Sequence, residues 1–201
     1  VALLDDAGEP VRELGAGQRG YVALGRTPFY LEAGGQGSDH GTIVTEAGSG
    51  RAIVDGLVRA GADRPRLHHV RVERGALRER DLVTAEVDES ERDATRRNHT
   101  ATHLLHAALR QVLGAHVKQA GSLVSPERLR FDFVHFAPLT PAELDEVERI
   151  VNAQVWRNAP VQTDVRATEE AIAGGAMALF GEKYGDRVRV VSVPGFSTEL
   201  C

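Results

Sequence analysis

Three histidines, His99, His103 and His106, fall four and three residues apart in the run Arg96-Arg97-Asn98-His99-Thr100-Ala101-Thr102-His103-Leu104-Leu105-His106. On a helix at about 100° per residue, His99 at 0° puts His103 at ~40° and His106 at ~340°, so all three share one face. An i, i+4 pair of imidazoles on one helical face is the spacing that holds a single metal ion. Two histidines that merely sit on a solvated face have the same spacing, and that is the commoner outcome for an isolated HxxxH. The zinc-protease version of the motif fails, because no Glu follows His99 to act as general base. Cys201 is the one thiolate that could complete a zinc site. It lies far along the chain from the pair, and spacing alone does not link them. By composition it is equally a buried, inert Cys. His68 and His69 are neighbours on a strand-like run, so they point to opposite faces and cannot share an ion; His40 stands in no pattern.

Basic residues cluster as well. Seven Arg lie between Arg59 and Arg80 against three acids, Asp63, Glu73 and Glu79, with His68 and His69 interleaved. Around the histidine run come Arg92, Arg96, Arg97, Arg110 and Lys118. Such clusters can neutralise phosphates or form the solvated face of an Arg-rich sequence, and the pattern fits both equally. Gly34-Gly35-Gln36-Gly37 lacks the Lys-Ser/Thr of a phosphate loop; it reads as a tight β-turn.

The elements that must position these residues change character along the chain. Up to about Asp88 the sequence is Gly-rich, with short β-branched runs between turn signals: Gly20–Leu24, Thr42–Thr45, Ala52–Val58, Leu67–Glu73 and Leu82–Val87. Strands at this spacing predict a small antiparallel barrel or sandwich over residues 1–88. From Ser90 the period changes. Ala101, Leu104, Leu105, Ala108, Leu109 and Val112 step as one face of a helix over residues 93–113, opposite the histidines, with Gly114 as its stop. Leu129–Val134 alternates as a strand. Thr140-Pro141-Ala142-Glu143 opens a second helix, with Thr at the N-cap, Pro first and Glu third, running to about Asn158. Val161–Val165 reads as a strand, Thr168–Ala173 as a short helix and Arg187–Val193 as a strand, giving an α+β domain of two layers over residues 89–201.

Composition sets the frame. The 201 residues allow one large domain or two small ones, and 42% hydrophobic with 26% charged residues is ordinary globular usage, which excludes disorder as the ground state. The net charge of −5 does not favour nucleic acid overall but leaves local basic patches open. No apolar run approaches the ~20 residues of a membrane-spanning helix, so no membrane partner is expected. A single Cys excludes an internal disulfide framework and fits a reducing cytoplasm. No secretory signal opens the chain, and its abrupt start at Val1 and stop at Cys201 read as those of a fragment.

Five segments together resemble the editing region of alanyl-tRNA synthetases: Phe29-Tyr30-Leu31-Glu32-Ala33-Gly34-Gly35-Gln36; Asn98 through His106; Gly121-Ser122-Leu123-Val124 with Leu129-Arg130-Phe131-Asp132-Phe133; Gly175 through Tyr184; and Phe196-Ser197-Thr198-Glu199-Leu200-Cys201. The resemblance covers essentially the whole chain and strongly favours the metal reading. It implies a hydrolase that removes wrongly attached serine or glycine from the alanine tRNA, acting on the ester at the terminal ribose. It implies one zinc on His99, His103 and Cys201, with the family's fourth ligand, a His four residues past the Cys, expected beyond the chain. It further implies a pocket using Thr102, Gln119 and Ser122, substrate contacts from Arg96, Arg97 and Lys183, and a translation-factor-like β-barrel before the editing core. The aminoacylation domain with its ATP-binding motifs is absent, so the chain is not expected to charge tRNA; the rest of a synthetase is then a partner. Two departures stand out: that missing domain, and Leu31 and Ala33 in place of the family's usual residues, by which one Gly of that loop is lost. A set of four protein ligands leaves no open position, so the zinc is assigned to positioning first and to water activation second. The rival readings are a freestanding editing protein, a tRNA-binding module whose zinc is purely structural, and an unrelated zinc hydrolase of small molecules.

Overall fold

The computed structural model describes residues 1–61, 65–177 and 185–201, which form two compact units, Val1–Ala94 and Thr95–Cys201. The first unit holds strands β1 (Ala2–Asp5), β2 (Pro10–Val11), β3 (Glu13–Gly15), β4 (Arg19–Ala23), β5 (Gly41–Thr45), β6 (Arg51–Arg59), β7 (Arg66–Arg74), β8 (Ala76–Arg78) and β9 (Val83–Val87). Every ladder is antiparallel. Seven strands join in the order β2-β1-β4-β7-β6-β5-β9, and β3 pairs with β8. Burial alternates along the central strands, Ala52 and Val54 on β6 and Val70 and Val72 on β7 pointing inward. They meet Leu3, Val22, Phe29 and Ile43 in one cluster with Leu14 and Leu77. One buried face per strand is the period-two signature that made these strands visible in the sequence. The very short β2, β3 and β8 carry too few residues to show it. No ladder joins β2 to β9 among the described residues. The ladders therefore establish an antiparallel sheet, not the closed barrel expected from the sequence.

His68 is fully buried in this sheet and satisfied: Nδ1 donates to the Val22 carbonyl at 2.8 Å, which leaves Nε2 to accept from Thr27 Oγ1 at 2.7 Å. Burial holds its pKa below the ordinary value, so the neutral ring is the stable form. His69 turns to the other face and meets Asp55 at 2.5 Å. Arg92 clamps the 27–40 loop, donating to both carboxylate oxygens of the buried Asp39 and to the Pro28 carbonyl.

Helix α1 (Glu89–Leu113) begins in the first unit and continues into the second. It starts four residues before the expected 93 because Asp88 caps it, its Oδ1 accepting from the Glu91 amide at 3.0 Å, with Glu89 and Glu91 in the first turn. The second unit then runs β10 (Lys118–Val124), β11 (Leu129–Val134), α2 (Pro141–Arg157), β12 (Gln162–Ala167), α3 (Thr168–Ala173), β13 (Arg187–Val193) and β14 (Ser197–Leu200). Its ladders make two antiparallel sheets, β10-β11 and β12-β13-β14. Helices α1 and α2 share a core with Phe131 and Phe133 of β11, while Ala171 of α3 packs with Val188, Val190 and Leu200. The fold class is α+β with mostly antiparallel sheets; a two-layer sandwich goes further than these ladders do.

The start of α2 is a complete capping box: Thr140 Oγ1 accepts from the Glu143 amide and the Glu143 carboxylate accepts from the Thr140 amide at 2.7 Å. Asn158 closes the helix in the left-handed conformation. Thr140→Ala removes one of these two bonds and is expected to destabilise the chain by about 1 kcal/mol. Thermal unfolding checks it, and an unchanged midpoint would mean the box adds nothing to the packed helix.

Candidate metal centre

The middle of α1 carries His99 and His103 on successive turns, and Cys201 follows directly on β14. One ligand atom from each of His99, His103 and Cys201 lies within 4.8 Å of the others, and His99 Nε2 is 3.0 Å from Cys201 Sγ. The His103 ring is tilted over that of His99 at a centroid distance of 5.0 Å. Residues separated by a hundred positions thus converge on one point.

Behind them stands a residue the sequence reading did not single out. Glu199 is 2% exposed, and its carboxylate accepts from His103 Nδ1 at 2.8 Å, His106 Nδ1 at 3.1 Å and Ser197 Oγ at 3.1 Å. With Nδ1 committed to Glu199, the neutral form of His103 is the one whose Nε2 carries the lone pair. That Nε2 is buried and has no hydrogen-bond partner among the described residues. An orphaned ring nitrogen next to a thiol and a second imidazole, with a carboxylate holding the far side of the ring, is the donor set and outer support that zinc takes. The residues fit that ion. Ser197, Glu199 and Cys201 alternate onto one side of β14, while Leu200 faces the core, but the strand is too short for that alternation to mark Glu199 in the sequence.

His106 does not join the metal group. It turns to Glu199 and packs against Phe131 at 5.2 Å between ring centroids. Nor is the histidine face of α1 a solvated one: His103 and His106 are buried along with Leu104 and Leu109. The helix is covered on both sides because β14 supplies a carboxylate and a thiol to its polar side.

Charge follows geometry. Burial pushes Glu199 up, but hydrogen bonds from His103 and His106 outweigh it and bring the carboxyl down to about 2. Burial pushes His103 down, and Cys201 and Glu199 outweigh it, raising the ring to about 9. Desolvation raises the Cys201 thiol, and the two imidazoles lower it to about 6, although the residue as a whole is exposed. A thiol so lowered is close to the thiolate that metal binding requires.

The three residues that the resemblance assigns to a pocket, Thr102, Gln119 and Ser122, lie on α1 and β10. Thr102 is buried and donates to the Asn98 carbonyl one turn back at 2.9 Å, as an ordinary helical Thr does. Asn98 in turn donates to the Ser125 carbonyl at 2.8 Å, tying α1 to the β10–β11 turn. Gln119 Nε2 donates to Ser122 Oγ at 3.4 Å. Residues three apart on a strand would normally face opposite ways; a bulge between Gln119 and Gly121 resets the register, pairing Gln119 with Phe133 and Ser122 with Phe131. Both therefore stand on the side of the hairpin that Phe131 and Phe133 turn to the helices.

Comparison with known proteins places the chain. Residues 1–91 match the family of class II (A) tRNA synthetases. The whole chain is 56% identical to a segment of the alanine–tRNA ligase of Solibacter usitatus, covering 23% of that protein. It is 54% identical to that of Methylococcus capsulatus (23% covered) and 52% identical to that of Geobacillus thermodenitrificans (22% covered). The chain belongs to the alanyl-tRNA synthetase family. It spans less than a quarter of the length of these relatives.

Within that family the loss of one loop glycine is structurally mild. Gly34 and Gly35 both take positive φ, 57° and 82°, as the central residues of a two-residue turn closed by the Ala33–Gln36 bridge. Ala33 sits outside those two positions, where a side chain costs nothing. Arg96 and Arg97 are exposed on α1. Several arginines of the other cluster are engaged: Arg66 donates to the Phe29 carbonyl, Arg78 pairs with Glu13 and Arg51, nearby on β6, with Glu73. Lys183 lies outside the described residues.

Proposed function

We propose that this chain carries the hydrolytic editing activity of an alanyl-tRNA synthetase, cleaving serine and glycine from mischarged alanine tRNA at a zinc held by His99, His103 and Cys201. The observation that carries this reading is the convergence of those three ligands on a Glu199-supported centre in a chain of this family. When bound, zinc supplies a fixed positive charge that can orient the substrate, polarise its ester or acidify a water. His103 is held for this by Glu199, which sets its tautomer and blocks its rotation. Cys201 contributes the thiolate and His99 the second imidazole.

The remaining roles fall to polar groups near the ligands. Thr102 is next to His103 in sequence, and with its proton committed to Asn98 its oxygen is left as an acceptor. An acceptor suits the hydroxyl of a serine ester and has no counterpart on alanine. A site built to bond a substrate hydroxyl rejects the analogue lacking it by as much as ~10⁴–10⁵. Glycine is admitted on other grounds: without a methyl it leaves room for a water to satisfy the same groups. Gln119 and Ser122, joined across the bulge, supply further donors and acceptors. The exposed Arg96 and Arg97 would neutralise tRNA phosphates, which makes binding salt-dependent.

The test is deacylation of Ser-tRNA(Ala), Gly-tRNA(Ala) and Ala-tRNA(Ala), with the chain and its Thr102→Val variant. Loss of ester from the first two and retention of the third supports the reading. Thr102→Val is expected to narrow the serine-to-alanine rate ratio about tenfold or more while leaving glycine less affected. An unchanged ratio would return Thr102 to a purely helical role. Binding of tRNA without hydrolysis would instead mark a binding module with a structural metal.

A further inference from the structure

At the open end of the β10–β11 hairpin three aromatic rings meet at the surface. His116 stacks on Phe136 at 4.5 Å between centroids and 27° between planes, and lies edge to edge with His135, their planes 21° apart. His116 and His135 are also joined nitrogen to nitrogen at 2.9 Å. Phe136 is 84% exposed and Val134 beside it 57%. An aromatic side chain this exposed, held flat against a neighbouring ring, presents a π-face to solvent and shields little of the core. Its surroundings are basic: Lys118 is exposed directly opposite Val134 in the ladder, and Arg110 clamps the segment flanking His116 through the Ala115 and Val117 carbonyls. The acid facing His135, Glu143, is engaged in the capping box of α2. A π-face beside cationic groups is the composition of a single-stranded nucleic-acid platform, where bases stack on rings and the backbone follows the charge.

The place on the hairpin says which bases. His135 comes two residues after Phe133, the ladder partner of Gln119, and His116 three residues before Gln119. At ~3.3 Å per strand residue the stack therefore stands within about 10 Å of Gln119. That is one to three nucleotide steps at ~3.4 Å each. We propose that the Phe136 ring, stacked on His116, receives an unpaired base of the tRNA 3′ end, just upstream of the nucleotide that carries the ester. This rests on the editing reading above, since it takes Gln119 as part of the reaction pocket. The stack holds the strand; the pocket cleaves it.

The experiment measures binding of a short single-stranded RNA ending in CCA, with a fluorescent cytidine analogue upstream of the terminal adenosine, to the chain and to Phe136→Ala, Phe136→Leu and Phe136→Tyr. Loss of one stacked base is expected to weaken binding on the order of tenfold or more and to relieve quenching of the analogue. Phe136→Leu keeps the apolar contact without the π-face and is expected to fail like alanine, while Phe136→Tyr binds as the parent does. Because Phe136 is so exposed, all three variants are expected to unfold at the parent temperature. Equal RNA affinity for the parent and Phe136→Leu would overturn the platform, as would variants that change only self-association. If Ser-tRNA(Ala) is hydrolysed normally while Phe136→Ala leaves RNA binding unchanged, the platform fails and the editing reading stands. If the parent neither binds the RNA nor hydrolyses the ester, the editing reading fails and takes the platform with it.

Discussion

Glu199→Ala is expected to lower the affinity of the chain for zinc about ten- to a hundredfold, and to destabilise the metal-free fold by about 3–5 kcal/mol. The carboxylate is buried, stands outside the candidate ligand group and holds Nδ1 of both His103 and His106. Alanine leaves two buried imidazoles without their acceptor and frees His103 to take the wrong tautomer. Glu199→Gln keeps the shape but not the charge, so its loss should be smaller. Competition against a chromogenic chelator reads the affinity, and denaturation in chelator reads the fold. The pH dependence has a definite sign. The folded carboxyl sits at about 2, below its unfolded value of ~4.3, so its contribution is complete above the unfolded value and is lost as pH falls toward 2. Metal-free parent chain should therefore lose stability over that acid window, and Glu199→Gln should lose less of it. Unchanged zinc affinity in Glu199→Ala would mean the carboxylate orients nothing.

His103→Ala is expected to abolish stoichiometric zinc and to slow deacylation of Ser-tRNA(Ala) by ~100-fold or more, the scale of several kcal/mol of lost charge stabilisation. His103 is the candidate ligand whose Nε2 is buried with no hydrogen-bond partner among the described residues and whose other nitrogen is tied to Glu199. His106→Ala makes the useful contrast: it shares Glu199 but not the metal group, so zinc should weaken without being lost. Metal content after dialysis, measured beside single-turnover rates, separates the two. Equal zinc retention by His103→Ala and the parent would remove His103 from the centre.

The parts of this arrangement legible in the sequence were those with a short-range physical signature. The capping box at Thr140, the left-handed stop at Asn158 and the alternating strands β5, β6, β7, β9 and β11 each announce themselves within a few residues. The His99–His103 pair was legible as geometry but not as a metal site, because an amphipathic wheel says nothing of what covers its polar face. That cover is β14, four residues long and preceded by Pro194-Gly195, too short for periodicity to register. The link to Cys201 came from family resemblance and not from spacing. Glu199 was missed although it alternates with Cys201, since an acidic residue in a strand reads as solvent-facing until its partners are known. The bulge at Gln119–Gly121 was equally hidden: it depends on pairing with β11, a tertiary fact. The expected barrel closure needs a pairing between β2 and β9 that no local pattern encodes.

The most direct measurement is single-turnover release of labelled serine from Ser-tRNA(Ala) by the zinc-loaded chain, set against release of labelled alanine from Ala-tRNA(Ala). Serine should leave faster than alanine by orders of magnitude, and chelation followed by zinc addition should abolish and restore that release. Serine and alanine released at the same rate, or serine at the uncatalysed rate with zinc bound, would contradict an editing role for this centre.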